Sequence, residues 1–372
     1  MAVKKDKKVV MALSGGVDSS VALWFLKKEG FFPIGLTLRL PVWKGRKSLM
    51  QENICCTTEG IRWLKKLCLK LEVPYYVLDC RKEFKKIVVD YFVKEYKKGK
   101  TPNPCIICNK YFRFPKFFEF AEKMKADFVA TGHYARTQKN QKTGKFELCQ
   151  AKDKDKDQSY FLALLSQKEL SKLLFPLGDC TKGEVYRIAK KQGFRRPVER
   201  LESQDFCYVT GKSKSFFLEE ELGQKPGLIL NKEGKVLGEH RGLHFYTLGQ
   251  RKGLKLSRGP FYVLKLDVQR NALIVTQNKK DLYKKEVILD SWSFILGEVP
   301  KKKIKVKAKT RYRQPLAKAT LFPPKRESLK LIFDRPQFAI TPGQYAVFYL
   351  PVEALAKTGQ KGVCLGGGAI TC

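Results

Sequence analysis

The chain has 372 residues and carries 74 Lys and Arg against 36 Asp and Glu, a net charge of +38. That length suits two or three domains, and 43% hydrophobic with 30% charged residues is the composition of a globular chain rather than a disordered one. The charge excess predicts a polyanionic partner, nucleic acid first and an anionic membrane surface second, while no apolar run reaches the roughly 20 residues of a membrane span.

The elements follow in chain order. KKVVMAL (7–13) predicts a first strand. It lies behind a basic start that lacks a signal-peptide cleavage pattern, so a cytoplasmic protein is expected. SSVALWFLKKEG (19–30) predicts a helix with lysines in its last turn and Gly30 at its stop. FFPIGLTLRL (31–40) and PYYVLDC (74–80) read as strands. EGIRWLKKLCLKLEV (59–73), FKKIVVDYFVKEYKKG (84–99) and KFFEFAEKMKA (116–126) read as helices, and DFVATGHYAR (127–136) as a further strand. Strands alternating with helices predict a doubly wound parallel sheet over residues 1–207. Beyond Cys207 the texture changes to short strands broken by Gly and Asn turns, with SFFLEEELG (215–223) as the exception. Two small all-β domains are expected there, 208–283 and 284–372, the last a β-barrel.

Between the first strand and helix stands Ser14-Gly15-Gly16-Val17-Asp18-Ser19-Ser20. A strand, a glycine turn and a helix start surround an anion with backbone N–H groups and the positive end of the helix. Asp18 is unusual for a pure anion site unless it holds Mg²⁺ or orients donors. The loop lacks the Gly-Lys-Ser/Thr of a Walker loop, whose lysine serves terminal phosphoryl transfer. It resembles the PP-loop, which grips pyrophosphate as it departs.

TPNPCIICNKYFRF (101–114) packs Pro102, Asn103, Pro104, Cys105 and Cys108 together. The prolines predict a rigid loop that presents Asn103 and both cysteines. Lys100, Lys110 and Arg113 would lower a thiol pKa. A zinc half-site is the alternative, but it needs two more ligands and the chain has 3 histidines. ESQDFCYV (202–209) supplies Cys207, a partner for the earlier pair. Farther on, KKIKVKAKTRYR alternates so that Lys303, Lys305, Lys307, Lys309, Arg311 and Arg313 share one strand face, a basic stripe of ~17 Å suited to phosphates.

Together with ATGHYAR, DQSYFL, LFPLGDCTKGEV, GEHRGLHFYTLGQRKGL, RYRQP, PGQYAVFY and CLGGGAI, these strings make the chain resemble the tRNA-uridine 2-sulfurtransferases over nearly its whole length. The resemblance implies an ATP- and Mg²⁺-dependent enzyme that adenylates the 2-carbonyl oxygen of the wobble uridine and installs sulfur. Ala12, Leu13, Leu38 and Gly132 would join residues 14–20 around ATP. Cys207 would receive a persulfide from a sulfur-carrier protein or cysteine desulfurase, and Cys108 would form a transient disulfide with it. Asn103, Pro104, Cys105, His133, Lys156, Asp157, Gln158, Arg311, Tyr312 and Gln344 would contact the tRNA anticodon stem-loop. A monomer is the expected state.

Cys105 departs from the family pattern, which often has an Asp assigned acid–base work there. A thiol serves only if its surroundings lower its pKa. The alternative is an iron–sulfur cluster held by Cys105, Cys108 and Cys207 with one iron open. Cys55 and Cys56 match a family pair without an assigned role. Two other readings are a different PP-loop tRNA-modifying ligase and a non-catalytic tRNA-binding protein.

Overall fold

The computed structural model describes residues 7–43, 45, 58–194, 206–209, 213–351 and 362–371. Cys55, Cys56 and Ser203–Asp205 lie outside them.

Five parallel strands build the first sheet: β1 (Lys8–Ala12), β2 (Phe32–Arg39), β3 (Tyr75–Asp79), β4 (Phe128–Ala130) and β7 (Leu173–Leu174), in the order β3-β2-β1-β4-β7. Val9, Val10 and Met11 are fully buried, as a central strand covered on both faces requires. Successive strands are added on one side of β1 and then on the other, so the chain reverses its direction of winding between β1 and β4. In open α/β sheets ligands bind beyond the carboxyl ends at such a reversal. Ser14–Ser20 lies there, between β1 and helix α1 (Val17–Lys28).

Between β4 and β7 a hairpin, β5 (Ala135–Lys139) and β6 (Phe146–Gln150), leaves this sheet altogether. It extends the last sheet of the molecule. That sheet contains β12 (Tyr283–Phe294), β13 (Ile304–Lys309), β14 (Ala317–Leu321), β15 (Leu329–Phe338), β16 (Tyr345–Tyr349) and β17 (Val363–Ile370). The order β12-β15-β14-β13-β16-β17 closes through a β12–β17 pairing into a six-stranded barrel, and β6 pairs with β17 by setting Cys149 against Val363 and Leu148 against Cys364. Between the two, β8 (Gly227–Leu230), β9 (Val236–His240), β10 (Tyr262–Asp267) and β11 (Ala272–Thr276) form a four-stranded sheet ordered β10-β11-β8-β9. Tyr246 belongs to its core and Phe245 packs at the edge of that core.

Two-residue alternation on β16 divides the barrel wall. Ala346 and Phe348 fill the barrel, whereas Tyr345, Val347 and Tyr349 point outward into the core of the first domain. The same alternation corrects the basic stripe. Lys305 is exposed, but Lys309, on the same outward face, is buried because the first domain covers that end of β13. Its Nζ lies 5.5 Å from the ring centroids of Tyr160 and Tyr312 and 6.0 Å from that of Tyr349. Burial pushes the Lys309 ammonium below its usual range, and Asp157 opposes the shift. The exposed stripe therefore ends before residue 309.

Candidate active site

Gly15 takes φ +73°, and Gly16 caps α1 in an extended conformation without a side-chain cap. The Ser19 and Ser20 hydroxyls each donate to the Gly16 carbonyl at 3.0 Å, and the Ser14 N–H donates to Ser19 Oγ at 3.4 Å. These contacts fold the loop into an open turn whose N–H groups and helix end carry positive potential. Leu13 and Leu38 are buried beside it, and Ala12 is partly buried against the core. Gly132 closes the other wall. A Cβ there would meet the Ser19 nitrogen at 3.0 Å and Cα at 3.1 Å, so only glycine lets this backbone approach the loop.

The lysine missing from the loop comes from elsewhere. Lys182 Nζ donates to both Asp18 oxygens, at 2.6 and 2.8 Å, and the Tyr134 hydroxyl donates to Asp18 Oδ1 at 2.8 Å. Lys182 opens the helix Lys182–Gln192, whose start is fixed by a capping box between Thr181 and Glu184. That Thr-x-x-Glu spacing was the available signal for a cation at a helix start. Lys182 itself stands inside the string LFPLGDCTKGEV, directly after the capping threonine. The loop, Gly132, Tyr134 and Lys182 suit a polyphosphate with a divalent cation, because Mg²⁺ needs only one or two carboxylates beside phosphate oxygens.

The cysteine segment differs from the expected loop. Pro104 opens a helix, Pro104–Cys108, with the Asn103 side chain accepting from the Cys105 N–H at 3.2 Å. Proline at the first helical position needs no N–H partner and its φ already fits, so the proline begins the helix it was expected to prevent. Asn103 and Cys108 are buried rather than presented, and Cys105 is half-buried. The helical run continues through a π turn, Asn109–Arg113, into Phe114–Lys123. Pro115 lacks the N–H that would bond the Tyr111 carbonyl, and the run widens there.

Cys108 and Cys207 come together at Arg113. The guanidinium hydrogen-bonds Cys108 and its Nη2 lies 3.9 Å from Cys207 Sγ. Burial pushes the Cys108 thiol up, and the charge and hydrogen bond of Arg113 oppose it. His133 stands in the same group. Burial, and then the Arg113 charge, push its imidazole down to about 3, so it is neutral at ordinary pH. Its Nδ1 and Thr131 Oγ1 are 2.8 Å apart.

The barrel backs the cysteine segment. Thr101 N–H donates to the Pro342 carbonyl, Asn103 N–H to that of Gly343, and Gln344 Nε2 to that of Thr101 at 2.8 Å. Arg311 Nη2 donates to the Leu248 and Ala339 carbonyls and to Thr341 Oγ1, joining the middle domain to the barrel. Tyr312 packs on Phe161 with centroids 4.4 Å apart. Asp157 accepts from the Ala151 and Ser159 N–H groups, Gln150 Nε2 and Ser159 Oγ. Gln158 Oε1 accepts from the Tyr134 N–H, and Lys156 stands part-exposed beside them.

Three family models match consecutive parts of the chain: a tRNA methyl transferase HUP domain at residues 7–211, a tRNA methyl transferase PRC-barrel domain at 215–277, and an aminomethyltransferase beta-barrel domain at 284–370. The tRNA-specific 2-thiouridylase MnmA of Moorella thermoacetica is 42% identical over 367 residues, covering 97% of this chain and 98% of its own. The chain belongs to the tRNA-specific 2-thiouridylase family. The 2-thiouridylase of Clostridioides difficile is 38% identical over 347 residues, 92% of this chain and 95% of its own. Among solved structures, the U34-tRNA thiolase NcsA from Methanococcus maripaludis with its [4Fe-4S] cluster aligns over 58% of this chain and 65% of its own. It does so at 19% identity with a TM-score of 0.35.

In this 2-thiouridylase family member an iron–sulfur cluster would need Cys105 gathered with Cys108 and Cys207 as a third thiolate. Among the described residues no three His, Cys, Asp or Glu side chains gather as metal ligands. A guanidinium, not an open gap, faces the sulfurs of Cys108 and Cys207. Cys105, Cys108 and Cys207 do not fit an iron–sulfur cluster in this arrangement. Among the described residues no helix is long and apolar enough to cross a membrane.

Proposed function

We propose that the protein is a tRNA-uridine 2-sulfurtransferase that adenylates the 2-carbonyl oxygen of the wobble uridine with ATP and replaces that oxygen with cysteine-borne sulfur. The observation that carries this reading is the meeting of Cys108 and Cys207, from distant segments, at one guanidinium beyond the glycine loop.

The N–H groups of Ser14–Ser20 and the start of α1 hold the pyrophosphate that leaves when the uridine oxygen attacks the α-phosphate. Ala12, Leu13, Leu38 and Gly132 enclose the nucleoside. Asp18 would hold Mg²⁺, which would supply screening of the phosphate charge. Lys182 balances Asp18 and supplies the positive charge that the loop itself does not carry.

Cys207 accepts a sulfur atom as a persulfide from a carrier protein or desulfurase. The terminal sulfur attacks C2 of the activated base, the C2–O bond breaks, and AMP leaves with the electron pair. Cys108 thiolate then attacks Cys207 Sγ. The bond from Cys207 Sγ to the carbon-bound sulfur breaks, its electrons form the thiocarbonyl, and a Cys108–Cys207 disulfide remains for an external thiol to reduce. Cys105, where relatives often have Asp, faces the base as the proton-handling group. Pro104, Lys156, Gln158 and Tyr312 contact the anticodon stem-loop. Asn103, His133, Asp157, Arg311 and Gln344, whose side chains are engaged within the chain, shape the RNA-facing loops. The protein works as a cytoplasmic monomer.

The test is mass analysis of nucleosides from unmodified tRNA incubated with the full chain, ATP, Mg²⁺ and a sulfide source. Wild type is expected to yield 2-thiouridine, and Cys108→Ser and Cys207→Ser none. Undiminished product from both variants would remove the reading.

A further inference from the structure

We propose that Arg113 is the positioning residue of the sulfur step, one cation shared by Cys108 and Cys207 that holds the Cys108 thiolate against Cys207 Sγ. The inference rests on the sulfurtransferase reading and deepens it.

Cys108 and Arg113 are five residues apart, a spacing that a regular α-helix of 3.6 residues per turn places on different faces. The π turn Asn109–Arg113 changes this, because its i→i+5 bonding aligns residues five apart. Arg113 is thereby brought to the Cys108 side of the run, where it hydrogen-bonds that thiol and reaches Cys207 Sγ at 3.9 Å. Once the terminal sulfur of the Cys207 persulfide is bonded to C2 of the base, the Cys108 thiolate attacks Cys207 Sγ, and the electrons of the breaking S–S bond pass to the carbon-bound sulfur as the thiocarbonyl forms. A guanidinium beside both sulfurs stabilises the Cys108 thiolate, and its forked donors keep that thiolate in register with Cys207 Sγ.

The test compares Arg113→Met and Arg113→Lys with wild type on the full chain. The rate of Cys207 alkylation by iodoacetamide at pH 7.5 is mapped by mass. In parallel, tRNA-dependent pyrophosphate release is followed beside sulfur incorporation. Arg113→Met is expected to slow Cys207 alkylation and sulfur incorporation about tenfold or more, with pyrophosphate release unchanged. Arg113→Lys, a point charge without the fork, is expected to recover alkylation more than sulfur transfer. An unchanged alkylation rate in Arg113→Met overturns the proposal, as does pyrophosphate release falling in step with sulfur transfer. The alkylation arm needs no RNA. A wild-type chain that makes no thiouridine would therefore overturn the sulfurtransferase reading, while the alkylation rates alone decide whether Arg113 acts on the two sulfurs.

Discussion

Lys182 holds both carboxylate oxygens of Asp18, at 2.6 and 2.8 Å, and so connects the starts of two helices at the mouth of the glycine loop. Its side chain is 13% exposed and that of Asp18 34%. Removing one partner strands the other in a partly desolvated place. Lys182→Met is expected to lower tRNA-dependent pyrophosphate release about a hundredfold, through lost phosphate stabilisation, and to cost about 1–2 kcal/mol of stability, less than a fully buried pair would. Pyrophosphate assays and urea midpoints check both. A variant releasing pyrophosphate at the wild-type rate would show that Lys182 serves packing alone.

Gly132 faces backbone, not a side chain that can swing away. Gly132→Ala is expected to push on Ser19 and Asp18, costing about 1–3 kcal/mol as an overpacked contact does and weakening ATP binding. Calorimetric titration with ATP and denaturant melts would show the two effects together.

His133 gives a pH signature. Its folded-state value is about 3 against 6.5 for a free imidazole, so between those limits the unfolded chain binds the extra proton. Stability contributed by the neutral ring is complete above pH 6.5 and is lost as pH falls toward about 3. Urea midpoints measured from pH 7.5 down to pH 5 should decline for wild type, and His133→Asn should remove the part of that slope due to this residue.

The outward face of β13 separates two kinds of lysine. Lys305 is exposed and Lys307 half-exposed, whereas Lys309 lies under three tyrosines. Lys305→Glu with Lys307→Glu should weaken tRNA binding and lower the slope of log K against log salt by about 1–2. Lys309→Met should leave that slope unchanged. Filter binding at several salt concentrations distinguishes them, and an altered slope for Lys309→Met would mean that RNA reaches the covered end.

Local pattern carried the reading of the first domain far. The alternation of apolar strands and helices, the glycine loop and the cysteine spacing were each visible within a few residues of chain. What stayed hidden was long-range. Nothing in GHYARTQ says that its strand departs for another sheet, since hairpin residues look alike wherever they pair. Lys309 has the same two-residue register as Lys305, and only the docking of the first domain reverses its exposure. The prolines of the cysteine segment were read for the helix they end, not for the helix that Pro104 begins. Arg113 was placed near the thiols by sequence proximity, but its shared contact needed the π turn and the arrival of Cys207.

The β5–β6 hairpin grows from the nucleotide-binding domain yet extends the barrel sheet from the Val363–Cys364 end of β17. The barrel therefore cannot be excised as an independent module. A chain cut before Tyr283 would bare the free edge of β6 and the apolar bed of Tyr160 and Phe161, an invitation to edge-to-edge aggregation. A barrel expressed alone would show the complementary scar along Tyr345, Val347 and Tyr349. Chimeras that graft this barrel onto a related nucleotide-binding domain should stay soluble only when the hairpin travels with it.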